Sequence, residues 1–319
     1  MSDAPAIRVE NHSITTRDKT LISATLFRPN NHNNHTVLIA NAMGMPQRFY
    51  RHYASYLAQQ GCVVMTFDYR GIAQSQSSKN LWGYEAHLAQ WASQDLQAMI
   101  IWMTRQYPST ELTVIGHSLG GHLLGGASSN EHVASLIGVS AQNTYWRNWA
   151  WWQQPLMGLF WFVILPILSY AIGYFPSGLF GLGEALPKNI ALDWSQGAGH
   201  KLGTKALLVN ANHNHYADFT GYTCFYSFTD DSLMAPKQAV DAILNYYPNA
   251  KHQQRRHISP KSIHQDSIGH SRFFRPEMRD SLWQESFNWL MNPSNAIESA
   301  QSKPNSSDNI QTNNVPQAS

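Results

Sequence analysis

Leu112-Thr113-Val114-Ile115-Gly116-His117-Ser118-Leu119-Gly120-Gly121 is the stretch that decides the fold. Four apolar or β-branched residues run straight into a Gly-x-Ser-x-Gly pentapeptide, and the chain beyond it reads as a helix. A serine at a sharp strand-to-helix turn is held in a strained backbone conformation, and flanking glycines remove Cβ atoms that would clash there. Its hydroxyl then stands above a sheet edge, where a helix N-terminus favours developing negative charge. Ser118 is therefore the candidate nucleophile.

The pattern repeats outward from this point. Upstream, Ile7-Arg8-Val9 and Leu21 to Phe27 read as short strands. Thr36 to Asn41 and Cys62 to Phe67 read as buried strands, separated by helical spacing over Phe49 to Gln60 with Gly61 as its stop. Trp91 to Tyr107 reads as a helix ended by Pro108. Downstream, Val133 to Val139 is a strand. After a break, strands are expected at Ala206 to Val209 or Cys224 to Phe228, and near His257-Ile258. Helices are expected at Pro236 to Tyr247 and Glu277 to Met291. Strands alternating with helices at this interval predict an α/β fold with a mainly parallel sheet and helices on both faces.

The break is an aromatic, uncharged segment. No charged residue occurs from Trp149 to Gly183, and Leu156 to Phe175 is almost wholly apolar. Its length would suit a bilayer span, but Pro155, Pro166 and Pro176 with Gly158 and Gly173 are expected to break or kink a single helix. A hydrophobic cap over the site explains the same composition, and peripheral membrane contact through 149–183 is the alternative. The expected organisation is a core of 1–140 and 185–291, a cap of 141–184, and a disordered Asn/Ser/Gln/Pro-rich tail of 292–319.

Composition narrows the function classes. Of 319 residues, 43% are hydrophobic and 13% charged, which suits a large core; the net charge of +2, with no dense Lys/Arg run, argues against a nucleic-acid surface. Two cysteines, Cys62 and Cys224, make neither a disulfide framework nor a Cys-rich zinc site. His213 and His215 lack a nearby carboxylate or cysteine and read as a polar loop, so no metal is expected. No dinucleotide or phosphate-loop fingerprint occurs, so no cofactor is expected. The N-terminus lacks a basic and apolar leader, and a cytoplasmic location is expected.

A serine hydroxyl needs a general base, and the base needs an orienting carboxylate, in the chain order Ser, Asp or Glu, His. Asp230-Asp231 follows the apolar run Cys224 to Phe228, and His270 precedes the last helix. Asp231 is favoured through its spacing to Pro236, with Asp230 the alternative. Among fifteen histidines, His264 and His257 compete with His270. His117 reads as a packing residue. Backbone N–H groups of Leu119 and, from the loop Asn41-Ala42-Met43-Gly44, of Met43 would form an oxyanion hole.

These segments, together with Asp68-Tyr69-Arg70-Gly71, resemble the α/β-hydrolase superfamily over roughly residues 20–291. They are most similar to a bacterial branch related to serine aminopeptidase- and monoglyceride lipase-like hydrolases. Asn41-Ala42 stands where that family commonly has His-Gly. The resemblance implies an eight-stranded sheet, a cap after the sixth strand, and a Ser–Asp–His triad acting on esters or related acyl compounds. An apolar small-molecule acyl substrate is expected from the cap's composition. Peptidase or acyltransferase chemistry on the same triad, or a non-catalytic membrane-associated binding protein, are the rivals.

Overall fold

The computed structural model describes residues 6–78 and 80–294. Eight strands form one sheet. They are β1 (Ile7–Thr15), β2 (Leu21–Pro29), β3 (His35–Ala40), β4 (Val63–Phe67), β5 (Glu111–His117), β6 (Val133–Val139), β9 (Tyr222–Phe228) and β10 (His252–Ile258). The short pair β7 (Tyr174–Phe175) and β8 (Leu186–Pro187) stands apart from it, paired antiparallel. The main order is β1-β2-β4-β3-β5-β6-β9-β10, parallel from β4 to β10, with β2 antiparallel to both neighbours.

The central strands are apolar on both faces because both are covered. In β3, Val37 and Ile39 pack on one side with Tyr53 and Leu57 of α1 (Arg51–Gln59), while Leu38 and Ala40 face the other side. There Met99, Ile100 and Met103 of α2 (88–106) complete the layer. Beyond β5, α3 (Gly120–Leu123) is a short helix that opens directly after the nucleophile turn.

Between β6 and β9 the chain runs from 140 to 221 without adding a strand to the main sheet. This departs from a core resuming at residue 185. The segment holds α4 (Gln154–Ile172), α5 (Lys188–Ala198) and α6 (Thr204–Asn210). Two expectations are corrected here. Ala206 to Val209 lies in α6 rather than a strand; a four-residue apolar run has no period of its own, and Gly203 at φ +54° starts a turn that the helix continues. Pro155 and Pro166 do not break α4. Pro155 occupies the first turn, where its missing N–H costs nothing, and a wide π turn over Phe160–Ile164 eases the clash between the Pro166 ring and the turn behind it. Gly173, at φ +84°, ends the helix.

After Pro236, α7 (Lys237–Ile243) packs in the layer of α2, and α8 (279–291) packs on the opposite face beside α1. The tail expected from 292 lies, from residue 295, outside the described residues.

Candidate active site

Ser118 sits between β5 and α3 at φ +50°, a left-handed conformation that a serine adopts only where its surroundings impose it. Those surroundings are backbone. A Cβ on Gly120 would lie 2.1 Å from the Ala40 carbonyl oxygen, one on Gly116 2.4 Å from the Gly121 nitrogen, and one on Gly121 2.5 Å from the Ala141 Cβ. Three glycines thus let β3, β5 and α3 close on the turn, and Ser118 N–H donates to the Val139 carbonyl at 2.8 Å. The Ser118 hydroxyl faces the Gln142 side chain, with Oγ 3.5 Å from Oε1.

The two aspartates after β9 have separate jobs. Asp231, almost fully buried, accepts the Nδ1–H of His270 at 2.8 Å, which leaves Nε2 as the basic nitrogen. Asp230 Oδ2 instead accepts the backbone N–H groups of Ile268 and Gly269 at 2.8 and 3.0 Å. One carboxylate holds the imidazole, and the other holds the loop that carries it. The competing histidines lie elsewhere. His257 is within β10, bonded to the Ser227 hydroxyl at 2.7 Å, and His264 is exposed on the surface.

Ser118 and His270 line one cavity of about 240 Å³ with Ala42 and Met43. Among the described residues, the backbone N–H groups of Met43 and Leu119 have no hydrogen-bond partner. Asn41 anchors this loop by donating from Nδ2 to the Phe67 and Met45 carbonyls at 2.7 and 3.1 Å. That is the geometric work of the residue standing where His-Gly was expected. Gly44, at φ +68°, packs so closely on the cap that a Cβ would meet the Leu182 oxygen at 2.8 Å, and its own carbonyl accepts the Glu184 N–H at 2.8 Å.

Two polar residues were not read as such from sequence. Tyr50 Oη accepts the Ala42 N–H at 2.9 Å and meets His117 Nδ1 at 2.9 Å, while His117 Nε2 lies 2.9 Å from the His270 carbonyl. The carbonyl can only accept, so Nε2 carries the proton and the Tyr50 hydroxyl donates to Nδ1. Burial, helped by the nearby His270, holds the His117 pKa well below the usual range and keeps the ring neutral. His117 is therefore more than packing: it connects the oxyanion-side loop to the histidine loop. Gln142 is the other omission, since it follows the last strand before the cap, where nothing in the pattern singles it out. Its Nε2 donates to the Met234 carbonyl at 3.1 Å, which turns Oε1 toward Ser118.

Asp68 and Arg70, after β4, make buried polar contacts of their own. Asp68 accepts Gln47 N–H at 2.7 Å, and burial raises its pKa. Arg70 is held by Asp95 at 2.7 Å and Asp18 at 2.6 Å.

The fold recurs in solved structures. An esterase of Pyrococcus furiosus is 16% identical with a TM-score of 0.55, covering 90% of this chain and 91% of its own. A soluble variant of monoglyceride lipase from Saccharomyces cerevisiae, solved with a substrate analogue, is 15% identical with a TM-score of 0.61, covering 92% and 96%. An alpha/beta hydrolase from a Penicillium species is 14% identical with a TM-score of 0.55, covering 89% and 98%. The chain has the α/β-hydrolase fold. Residues 31–169 of the chain match the family described as serine aminopeptidase, S33. No curated protein matches its sequence.

Proposed function

We propose that this α/β hydrolase cleaves carboxylic esters through an acyl-enzyme on Ser118. The observation that carries the reading is one cavity holding Ser118 at its strained turn and His270 bonded at 2.8 Å to buried Asp231. In the first step His270 Nε2 takes the hydroxyl proton as Ser118 Oγ attacks the carbonyl carbon. The carbonyl oxygen becomes an oxyanion bound by the Met43 and Leu119 N–H groups, and Asp231 stabilises the imidazolium. Collapse expels the alcohol, which receives the proton from His270. Water then attacks the acyl-enzyme, its proton passing to His270 and on to Ser118 Oγ as the acid leaves.

The lining favours an ester with an apolar acyl group. Met43, Met45, Phe180, Leu182, Trp194 and Met234 wall the cavity, and no Asp, Glu, Lys or Arg is among its described lining residues. An aminopeptidase must neutralise the substrate's terminal ammonium, and the wall offers no carboxylate for it. Acyl transfer to another nucleophile would use the same acyl-enzyme and remains the rival chemistry.

The test is a fluorophosphonate probe read by intact mass. One adduct is expected on wild type, none on Ser118→Ala, and strongly slowed labelling on His270→Ala. p-Nitrophenyl esters of increasing chain length then rank the acyl group against aminoacyl p-nitroanilides. No adduct on folded wild type would leave a binding protein as the better reading.

A further inference from the structure

Helix α4 has two apolar faces, and the body covers only one. Met157, Trp161, Leu165 and Ser169, spaced four apart, are buried. Trp161 packs edge-on to Trp194 of α5 at 4.3 Å, and its carbonyl accepts the Ser195 hydroxyl at 2.7 Å. The opposite face is as apolar as the first yet open to solvent: Leu159 is 49% exposed, Ile167 59% and Tyr170 68%, with Trp151 at 82% just ahead of the helix. Only 22% of the most apolar stretch of Gln154–Ile172 is buried. A helix apolar all round belongs either in a core or in lipid, and this one is outside the core. Nor does it cross a bilayer, because it lies against α5 and both of its ends return to the body. Trp149 Nε1 donates to the Leu233 carbonyl at one end, and β7 pairs with β8 just after the other.

We propose that the open face of α4 seats in the interfacial layer of a phospholipid bilayer, with the helix in the membrane plane. Charge fits that occupant. The face carries none, while its Phe162 edge is cationic: Trp146 packs on Phe162 at 6.0 Å and bears Arg147 on its ring at 5.3 Å, and Lys201 lies two residues beyond Gly199, which abuts Phe162. Such an arrangement sets hydrocarbon against acyl chains and cations against headgroup phosphates, with Trp151, Trp152 and Tyr170 suited to the boundary. The helix also reaches the cavity's wall, since Phe160 of α4 packs on Phe180 at 5.9 Å and Phe180, 40% exposed, lines the cavity. Resting on the ester-hydrolase reading, this would let an acyl substrate pass from lipid into the cavity without crossing water.

The experiment is flotation of the full chain carrying Ser118→Ala, which makes the readout independent of catalysis, with vesicles of phosphatidylcholine and a minor share of phosphatidylglycerol. The parent is expected to float. The triple variant Leu159→Ser/Ile167→Ser/Tyr170→Ser should lose at least about tenfold in partitioning, because three large apolar side chains no longer leave water. The pair Val9→Ser/Leu21→Ser, exposed on the first two strands, should float as the parent does. If the triple variant misfolds by circular dichroism, quenching by brominated lipid replaces it and should fall in Trp151→Phe/Trp152→Phe. A parent that stays with the soluble fraction overturns the proposal, as does a triple variant that floats equally. So does a dimer in light scattering that the triple variant abolishes without any vesicle binding, which would assign the face to a second copy.

Discussion

The Ser118 turn and helix α4 hold themselves together by opposite means. Around Ser118 the chain is fixed by close contacts that leave no space for a methyl group and by directional hydrogen bonds from Asn41, Tyr50, His117, Asp230 and Asp231. Around α4 the contacts are ring on ring and chain on chain, with one face unused. Directional bonds fix positions to fractions of an ångström, as proton transfer and oxyanion binding require. Dispersion contacts are undirected, so apolar surface can exchange one neighbour for another at little cost.

The largest effect that would sharpen this contrast is at the aspartates. Asp231→Asn should lower kcat on an ester substrate by about 10⁴-fold, through loss of the imidazole tautomer, with little change in fold. Asp230→Asn should cost about tenfold or less, because an amide oxygen can still accept the Ile268 and Gly269 N–H groups. Equal losses in steady-state kinetics would remove the division of labour between them.

Next come two glycines. Gly120→Ala, with its Cβ at 2.1 Å from the Ala40 oxygen, should destabilise the protein by about 3 kcal/mol or prevent folding. Gly158→Ala in α4, where the nearest atoms are at 4.0 Å, should be neutral or stabilise by roughly 0.5 kcal/mol through helix propensity. Urea denaturation measures both, and similar values would break the comparison.

Tyr50→Phe removes the hydroxyl between Ala42 and His117. It should lower kcat about tenfold with KM nearly unchanged, because a loosened oxyanion loop binds ground-state substrate as before. A rise in KM alone would place Tyr50 in substrate binding instead.

The smallest effect is spread over pH. Burial holds the His122 pKa at about 3, and that of His117 also well below normal. The unfolded chain gains these protons as pH falls through about 6.5 while the folded chain does not. Stability from each is thus complete above pH 6.5 and lost by about 1.4 kcal/mol per unit below it. The slope of urea midpoints between pH 6.5 and 5 should flatten in His122→Phe.

What was legible in the sequence follows the same line. Strands β3 to β6 stood out because burial on both faces makes them unbroken apolar runs, and Gly116 to Gly121 betray a turn that only glycine permits. Asp231 and His270 stand in the expected order along the chain, but which aspartate bonds the imidazole and which the 268–269 backbone shows only in the folded geometry. Tyr50 and Gln142 left no trace, since a hydroxyl or amide aimed by tertiary packing looks like any other. Ala206 to Val209 misled because four apolar residues fit a strand or a helix equally, and Pro166 misled because a π turn is invisible in composition.

The hydrogen bond from His117 to the carbonyl of His270 joins residues 153 positions apart. During synthesis the strand that carries Ser118 and the greasy helix of the cap are therefore made long before the loop that carries His270. A nascent chain halted before β10 carries the apolar face of α4 and lacks His270, so its greasy surface is made before its proposed base.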